Sequence, residues 1–364
     1  MLNLKTIVYK INGSASDLLR LSEAGSILKD GGLVAFPTET VYGLGASALS
    51  ESAAEKIYAA KGRPSDNPLI VHVADPAEAE DIAYTCELYY KLAERFMPGP
   101  LTVILPKRDV IPEAVTGGLD TVAVRCPVNG TARELIRLAG VPVAAPSANR
   151  SGSPSPTMAE HVIADLDGRV DMIIDGGSSE IGIESTVISI ADGIITILRP
   201  GAVTEDMLKQ ITPSVYVDKA VTDIGSVGDK PASPGMKYKH YAPKANVILV
   251  YASDEDFYDY VNAKAGERDG VFASSAEADR FNCSVLLTGE EGTAAELNHS
   301  LYALLRDADL QQLKNVFIRK PPSWGEHLAL YNRLIRAAAG KIVHINRVDG
   351  GKLVETIDGK SMTF

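Results

Sequence analysis

The sequence predicts an α/β protein of two domains: a larger N-terminal twisted mixed sheet with helices over 1–212, and a smaller C-terminal doubly wound, Rossmann-like α/β domain over 244–364. Three observations predict it. Strand and helix signals alternate through both parts. An Asp192-Gly193 turn between two branched apolar runs requires an antiparallel hairpin in the first part. The stretch 213–243, rich in Pro, Gly and Ser, breaks the alternation as a linker or functional loop does. At 364 residues the chain suits two cores better than one.

The elements follow in order. The opening "MLNLKTIVYKINGSASD" alternates as a strand does, and "GLVAF" (32–36) is a second strand. "SESAAEKIYAAKG" predicts a helix with Ser52 and Glu55 at capping-box spacing and Gly62 at its end. "PLIVHVA" reads as a strand, and Asp75-Pro76 opens the next helix. "ELYYKLAERF" is helical; "LTVILP" and "TVAVRCP" are short strands. The Thr131/Glu134 pair caps a helix, "VPVAAP" is a strand, Thr157 and Glu160 cap another helix, and "DMIIDGG" is a strand before the hairpin. Crossovers together with a hairpin imply a mixed sheet. Beyond 243, "VILVY", a helix near 254–264, "GVFAS", "SVLLTG", a long helix, "NVFIRKP", a further helix and "KIVHIN" alternate as in a doubly wound parallel domain.

Composition narrows the function classes. Hydrophobic residues at 45% and charged residues at 23% are those of an ordinary globular protein. No apolar run approaches about 18 residues and no leader pattern opens the chain, so a cytoplasmic protein without membrane contact is expected. Cys86, Cys126 and Cys283 stand singly, which argues against a zinc site or disulfide framework. The net charge of −11, with neither half basic, argues against a broad nucleic-acid footprint. A bound phosphate would have to be held by a few chosen cations. P-loop, zincin, nucleophile-elbow and dinucleotide fingerprints are absent.

Polar clusters at strand and helix ends remain. In "AAKGRPSDNPLIVH", Lys61 and Arg63 follow a helix; taken alone, they read most simply as solvated charges complementing its dipole. His72, between valines, reads as a satisfied half-buried histidine more readily than as a catalyst. Arg125 lies in an apolar strand and needs a partner, either a structural carboxylate or an anionic ligand. "AAPSANRSGSPSPT" puts Ser147 and Asn149 after a strand of small residues, where open α/β sheets bind ligands. Ser185 and Arg199 sit at further strand ends.

These stretches, "FPTETVYGLGA", "AAKGRPSDNPLIVHV", "PGPLTVIL", "GLDTVAVRCP", "VPVAAPSAN", "PSPT", "IDGG", "ESTV" and "LRPGA", resemble in order and spacing the YrdC family of threonylcarbamoyl-adenylate synthases. "SPGMKYKHYAP" before a second α/β domain resembles its two-domain branch. The resemblance implies a YrdC-like N-terminal fold and synthesis of threonylcarbamoyl-AMP and diphosphate from L-threonine, bicarbonate or CO2 and ATP, with Mg2+. It further implies a downstream transferase complex that modifies position 37 of tRNAs reading ANN codons, tRNA itself not being held tightly here. The family's K-x-R and S-x-N tetrad is present as Lys61, Arg63, Ser147 and Asn149.

By the same resemblance, Thr40, His72, Arg125, Ala145 and Ser185 line the threonine side, with Arg125 taking the carboxylate. Arg63, Asn67, Thr121, Ser147, Ser155 and Arg199 line the nucleotide side; metal ligands are not identifiable. Gly43 and Gly45 are expected to keep the wall beside Thr40 thin. Segment 233–241 is expected to act as a lid offering Tyr238 or His240 to the nucleotide. Two other readings compete. A non-catalytic RNA-binding module runs against the acidic balance. A carbamoyltransferase subunit of hydrogenase-maturation type would carry zinc-ligand cysteine pairs and an acylphosphatase segment, which this sequence lacks.

Overall fold

A computed structural model describes residues 5–14, 16–222, 242–348, 351–357 and 360–363. The chain divides into two compact units, residues 1–151 with 155–238 and residues 152–154 with 239–364.

Eleven strands build the first unit's sheet: β1 (Ile7–Lys10), β2 (Val34–Phe36), β3 (Gly43–Ser47), β4 (Ile70–His72), β5 (Leu101–Pro106), β6 (Thr121–Arg125), β7 (Val143–Ala144), β8 (Met172–Asp175), β9 (Thr186–Ala191), β10 (Ile194–Arg199) and β11 (Val215–Val217). Their spatial order is β1-β8-β2-β3-β7-β4-β6-β5-β9-β10-β11. Pairing is mixed, as expected: β4 runs parallel to β6 and β5 to β9, while β5 and β6, and β9 and β10, are antiparallel. The β9–β10 hairpin turns at Asp192 (φ 50°) and Gly193 (φ 75°), both left-handed as a two-residue turn of this hand requires. Strand alternation sends Val34 and Phe36 into a core with Leu21, Leu28 and Leu135, and Ala35 into the opposite core with Ile57, Leu92 and Val162. The sheet is thus covered by apolar helix faces on both sides. Helices Asp17–Lys29 and Gly130–Ala139 approach closely at Gly25, where a Cβ would stand 2.9 Å from the Ala139 nitrogen.

Several helix starts differ from the sequence reading. Helix Glu51–Lys61 is capped by extended Ser50, whose hydroxyl accepts from the Ala53 N–H at 3.3 Å, so Ser52 is already inside it. Asn129, not Thr131, caps Gly130–Ala139 through the Ala132 N–H. Helix Ala159–Leu166 starts after Met158, and the Thr157 N–H donates to His161 Nδ1 instead. In the first two cases an adjacent hydroxyl or amide reached the free N–H first, whereas Ala159–Leu166 has no side-chain cap. Gly62 ends its helix at φ 63°, as read. The edge strand β11 forms inside the stretch expected to lack regular structure, because Val215 and Val217 find the free edge of β10.

The second unit holds β12 (Asn246–Tyr251), β13 (Asp269–Ala273), β14 (Ser284–Leu287), β15 (Asn315–Arg319), β16 (Ile342–Arg347), β17 (Leu353–Ile357) and β18 (Lys360–Thr363), ordered β14-β13-β15-β12-β16-β17-β18. Five strands are parallel, with helices Asp254–Lys264, Ala294–Leu310 and Leu328–Ala337 in the crossovers. The sequence reading stopped at β16. β17 and β18 then extend the sheet antiparallel, so it is not parallel throughout. No described helix is long and apolar enough to cross a membrane.

Candidate active site

Strand directions gather polar residues at one end of five neighbouring strands. β4 and β6 end at His72 and Arg125; β5 begins there with Leu101 and Thr102; Ser185 immediately precedes β9; β10 ends at Arg199. At the usual strand spacing, His72 to Arg199 spans about 19 Å.

Arg125 is buried, and its Nη2 meets Glu39 Oε1 at 2.7 Å, itself buried. The partner is therefore a carboxylate of the chain, and the pair has spare capacity. Arg125 Nε and Glu39 Oε2 are both buried without a hydrogen-bond partner among the described residues. His72 faces Arg125 in register. Its Nδ1 lies 3.2 Å from the Ile70 carbonyl, and its ring meets Phe36 edge-on at 6.2 Å. Burial first, and the Arg125 charge second, hold its pKa down to about 3, so the imidazole is neutral at any ordinary pH. Ser185 shares a hydrogen bond with Thr102 at 2.8 Å, and Arg199 grips it through Nη2 to Oγ and Nε to the carbonyl, each at 3.1 Å. Ser155 donates to Glu184 Oε1 at 2.6 Å.

A second group lies toward the opposite end of β4 and β7. Lys61 is 3% exposed, which overturns its reading as a solvated helix-end charge. Its Nζ donates to the carbonyls of Ser147 and Asn149, both at 2.5 Å, and reaches Asn149 Oδ1 at 3.4 Å. Ser147 Oγ donates to the same Oδ1 at 2.5 Å, so the tetrad's lysine, serine and asparagine form one network. Arg63 is half-buried and donates to the Asn67 and Pro68 carbonyls, at 3.3 and 3.1 Å. Asn67 is buried with its Oδ1 unpartnered among the described residues. The Ala145 N–H donates to the Ile70 carbonyl at 2.8 Å, and Thr121 begins β6 at this end.

Residues 38–42 cross between the two groups. Tyr42 donates its N–H to the Pro156 carbonyl and accepts from the Ala148 N–H; the Ile181 and Gly182 N–H groups donate to the Glu39 and Thr40 carbonyls. Thr40 is fully buried, its hydroxyl 2.8 Å from that of Thr38. The nearby glycines have a different reason from the one expected. A Cβ on Gly45 would stand 2.8 Å from both Phe36 Cε1 and Val143 Cγ1, and one on Gly43 would stand 3.3 Å from Phe36 Cζ. They make room for the Phe36 ring, which lies across β3 toward His72.

Of the expected residues, Lys61, Ser147 and Asn149 come together, as do His72 with Arg125 and Ser185 with Arg199. Arg199 and Ser155 join the Ser185 end of the site, whereas Asn67 and Thr121 sit toward the tetrad. Tyr238, His240 and the lid segment 233–241 lie outside the described residues. Sequence reasoning missed Glu39, Glu184 and Thr102. Glu39 had a signal: it is the sole charge in "AFPTETVYGLGA", where a solvated turn would carry more. No group of three or more His, Cys, Asp or Glu among the described residues could hold a metal.

This mixed sheet, with its lysine, serine and asparagine network and its buried arginines, defines a YrdC-type α/β protein. The family model described as telomere recombination matches residues 26–201, and that described as threonylcarbamoyl-AMP synthase, C-terminal domain, matches 203–339. The threonylcarbamoyl-AMP synthase of Bacillus subtilis is 44% identical over 329 residues, 89% of this chain and 94% of its own. That of Pyrococcus abyssi is 42% identical, over 88% of this chain and 95% of its own. The crystal structure of P. abyssi Sua5 complexed with L-threonine aligns with a TM-score of 0.85 at 40% identity, covering 94% of this chain and 99% of that one. The chain belongs to the threonylcarbamoyl-AMP synthase family, enzymes of nucleotidyltransferase type.

Proposed function

We propose that this chain joins L-threonine, bicarbonate or CO2, and ATP into threonylcarbamoyl-AMP with release of diphosphate. The observation that carries the reading is the Lys61 network, in which the lysine of the family's K-x-R motif is hydrogen-bonded directly to the serine and asparagine of its S-x-N motif. Threonine must attack carbon as its free amine, and the resulting carbamate must attack the α-phosphorus of ATP. Both steps gather negative charge, which fixed donors stabilise. In this reading Arg125 takes the threonine carboxylate, and Thr40, His72, Ala145 and Ser185 line that side. His72 contributes a neutral ring, so it adds no charge to compete with the amine. Arg63, Asn67, Thr121, Ser147, Ser155 and Arg199 serve the nucleotide, and the open acceptor on Asn67 suits a hydroxyl or amino donor. Lys61 holds the 147–149 turn so that Ser147 and Asn149 face the phosphates. Charge-assisted hydrogen bonds of this kind contribute about 1.5–3 kcal/mol each, enough for a few to overcome an acidic background.

Among the described residues no group of three or more His, Cys, Asp or Glu could hold a metal. Mg2+ would enter as the counter-ion bound to ATP phosphates, and no step is assigned to it. The product is an activated carbamoyl donor for a separate transferase complex that modifies adenosine 37 of tRNAs reading ANN codons. The test is diphosphate release from ATP, with the threonylcarbamoyl adenylate identified by mass. Release that requires threonine and bicarbonate together supports the reading; release indifferent to either overturns it.

A further inference from the structure

Arg125 and Glu39 are each at least nine-tenths buried and are held 2.7 Å apart, yet neither is fully used. Arg125 Nε, a donor, and Glu39 Oε2, an acceptor, have no partner among the described residues. A buried charged atom without a partner costs more than a completed pair contributes, so two in one ion pair need an explanation. A single ligand meets both needs if it carries an anionic acceptor beside a cationic donor. An α-amino acid carries these on adjacent carbons, and no other polar fragment in the proposed reaction does.

Resting on the reading of L-threonine as substrate, we propose that Glu39 receives the substrate's α-ammonium through Oε2. With Arg125 it forms a two-point clamp for a zwitterion. Glu39 is suited to this because its backbone is fixed: the Ile181 N–H donates to its carbonyl, and its neighbour Thr40 accepts from the Gly182 N–H. The clamp selects amino acids over hydroxy acids. It also places the nitrogen that must become a nucleophile against a carboxylate.

The experiment is calorimetric titration of the full chain with L-threonine and with 2,3-dihydroxybutanoate, which replaces the ammonium by a hydroxyl. The wild type is expected to prefer threonine by at least about tenfold, the scale of one hydrogen bond to a charged group. Glu39→Gln keeps the shape and an acceptor for Arg125 but presents a donor to the ammonium, and it should bring that preference to within about threefold. If both ligands weaken equally and the preference persists, Glu39 only braces Arg125 and the proposal is overturned. A shift in bicarbonate dependence with an unchanged preference also overturns it. Should Glu39→Gln fail to fold by circular dichroism, Glu39→Asp, with its shorter reach, is expected to show the same loss of preference. A wild type that binds no threonine instead overturns the substrate reading itself.

Discussion

Replacing Lys61 by methionine should damage the fold as well as the chemistry. The ammonium is buried and donates to two carbonyls, those of Ser147 and Asn149. Methionine preserves most of the apolar stem but leaves both acceptors without this donor. At about 1.5–3 kcal/mol for each hydrogen bond to a charged group, the loss is roughly 3–6 kcal/mol. In a unit of this size each kcal/mol lowers the midpoint by about 2–4 °C, so melting should fall by roughly 6–24 °C. Lys56 on the same helix provides the control, since it reaches the Gly31 carbonyl at 2.6 Å from an exposed position. Lys56→Met should cost under about 1 kcal/mol. The assay is urea unfolding of the full chain followed by circular dichroism, alongside diphosphate release, which should slow at least about tenfold. If Lys61→Met unfolds with Lys56→Met, the Lys61 network is not a structural element and the argument from its burial is wrong.

Gly201→Ala should be severely destabilising, since its Cβ would lie 2.4 Å from the Thr186 nitrogen and 2.7 Å from the Ser185 carbonyl carbon; a wild-type melt would show that the backbone yields cheaply. His72 should make stability depend on pH. Its folded pKa near 3 lies below the unfolded value of about 6.5, so the unfolded chain takes the proton first. Its contribution is whole above about pH 6.5 and drains as pH falls toward 3, so between pH 7 and 5 the wild type should lose roughly 2 kcal/mol more than His72→Gln. Equal losses would contradict the neutral imidazole. Arg125→Met should raise the threonine requirement and cost about 3–5 kcal/mol by stranding the Glu39 charge. The Glu39→Gln/Arg125→Met double variant should regain stability without regaining threonine binding, and strictly additive losses would argue against the pair. Burial pushes the Cys126 thiol up to about 12, so maleimide at neutral pH should label exposed Cys86 and reach Cys126 only after unfolding. Prompt native labelling of Cys126 would contradict its packing.

Much of the architecture was legible because strand and helix periods report which face is buried. Glu87–Phe96, Leu101–Pro106 and Asp254–Lys264 stand where branched runs, apolar spacing and acidic starts put them. Cap identities were less legible, since Ser50 and Ser52, or Asn129 and Thr131, compete within two residues and backbone angles decide. The environment of Lys61 was not legible from its surroundings. A lysine ending a helix is ordinarily solvated, and its acceptors lie more than eighty residues away. Arg125 advertised its need for a partner, but nothing local said whether Glu39 or a ligand would supply it. Gly43 and Gly45 were correctly singled out and wrongly explained: what presses on them is Phe36, a contact that strand pairing creates.

The crossing segment 38–42 has a consequence for how the molecule is born. Its hydrogen-bond partners at 148, 156, 181 and 182 all leave the ribosome more than a hundred residues later. Early strands and helices can collapse meanwhile, yet on the proposed reading the threonine side of the site is incomplete until the β9–β10 hairpin arrives and Arg199 closes on Ser185. If that reading holds, binding competence emerges abruptly with the last strands of the first unit, and a fragment ending before β10 should keep helical content while failing to bind threonine.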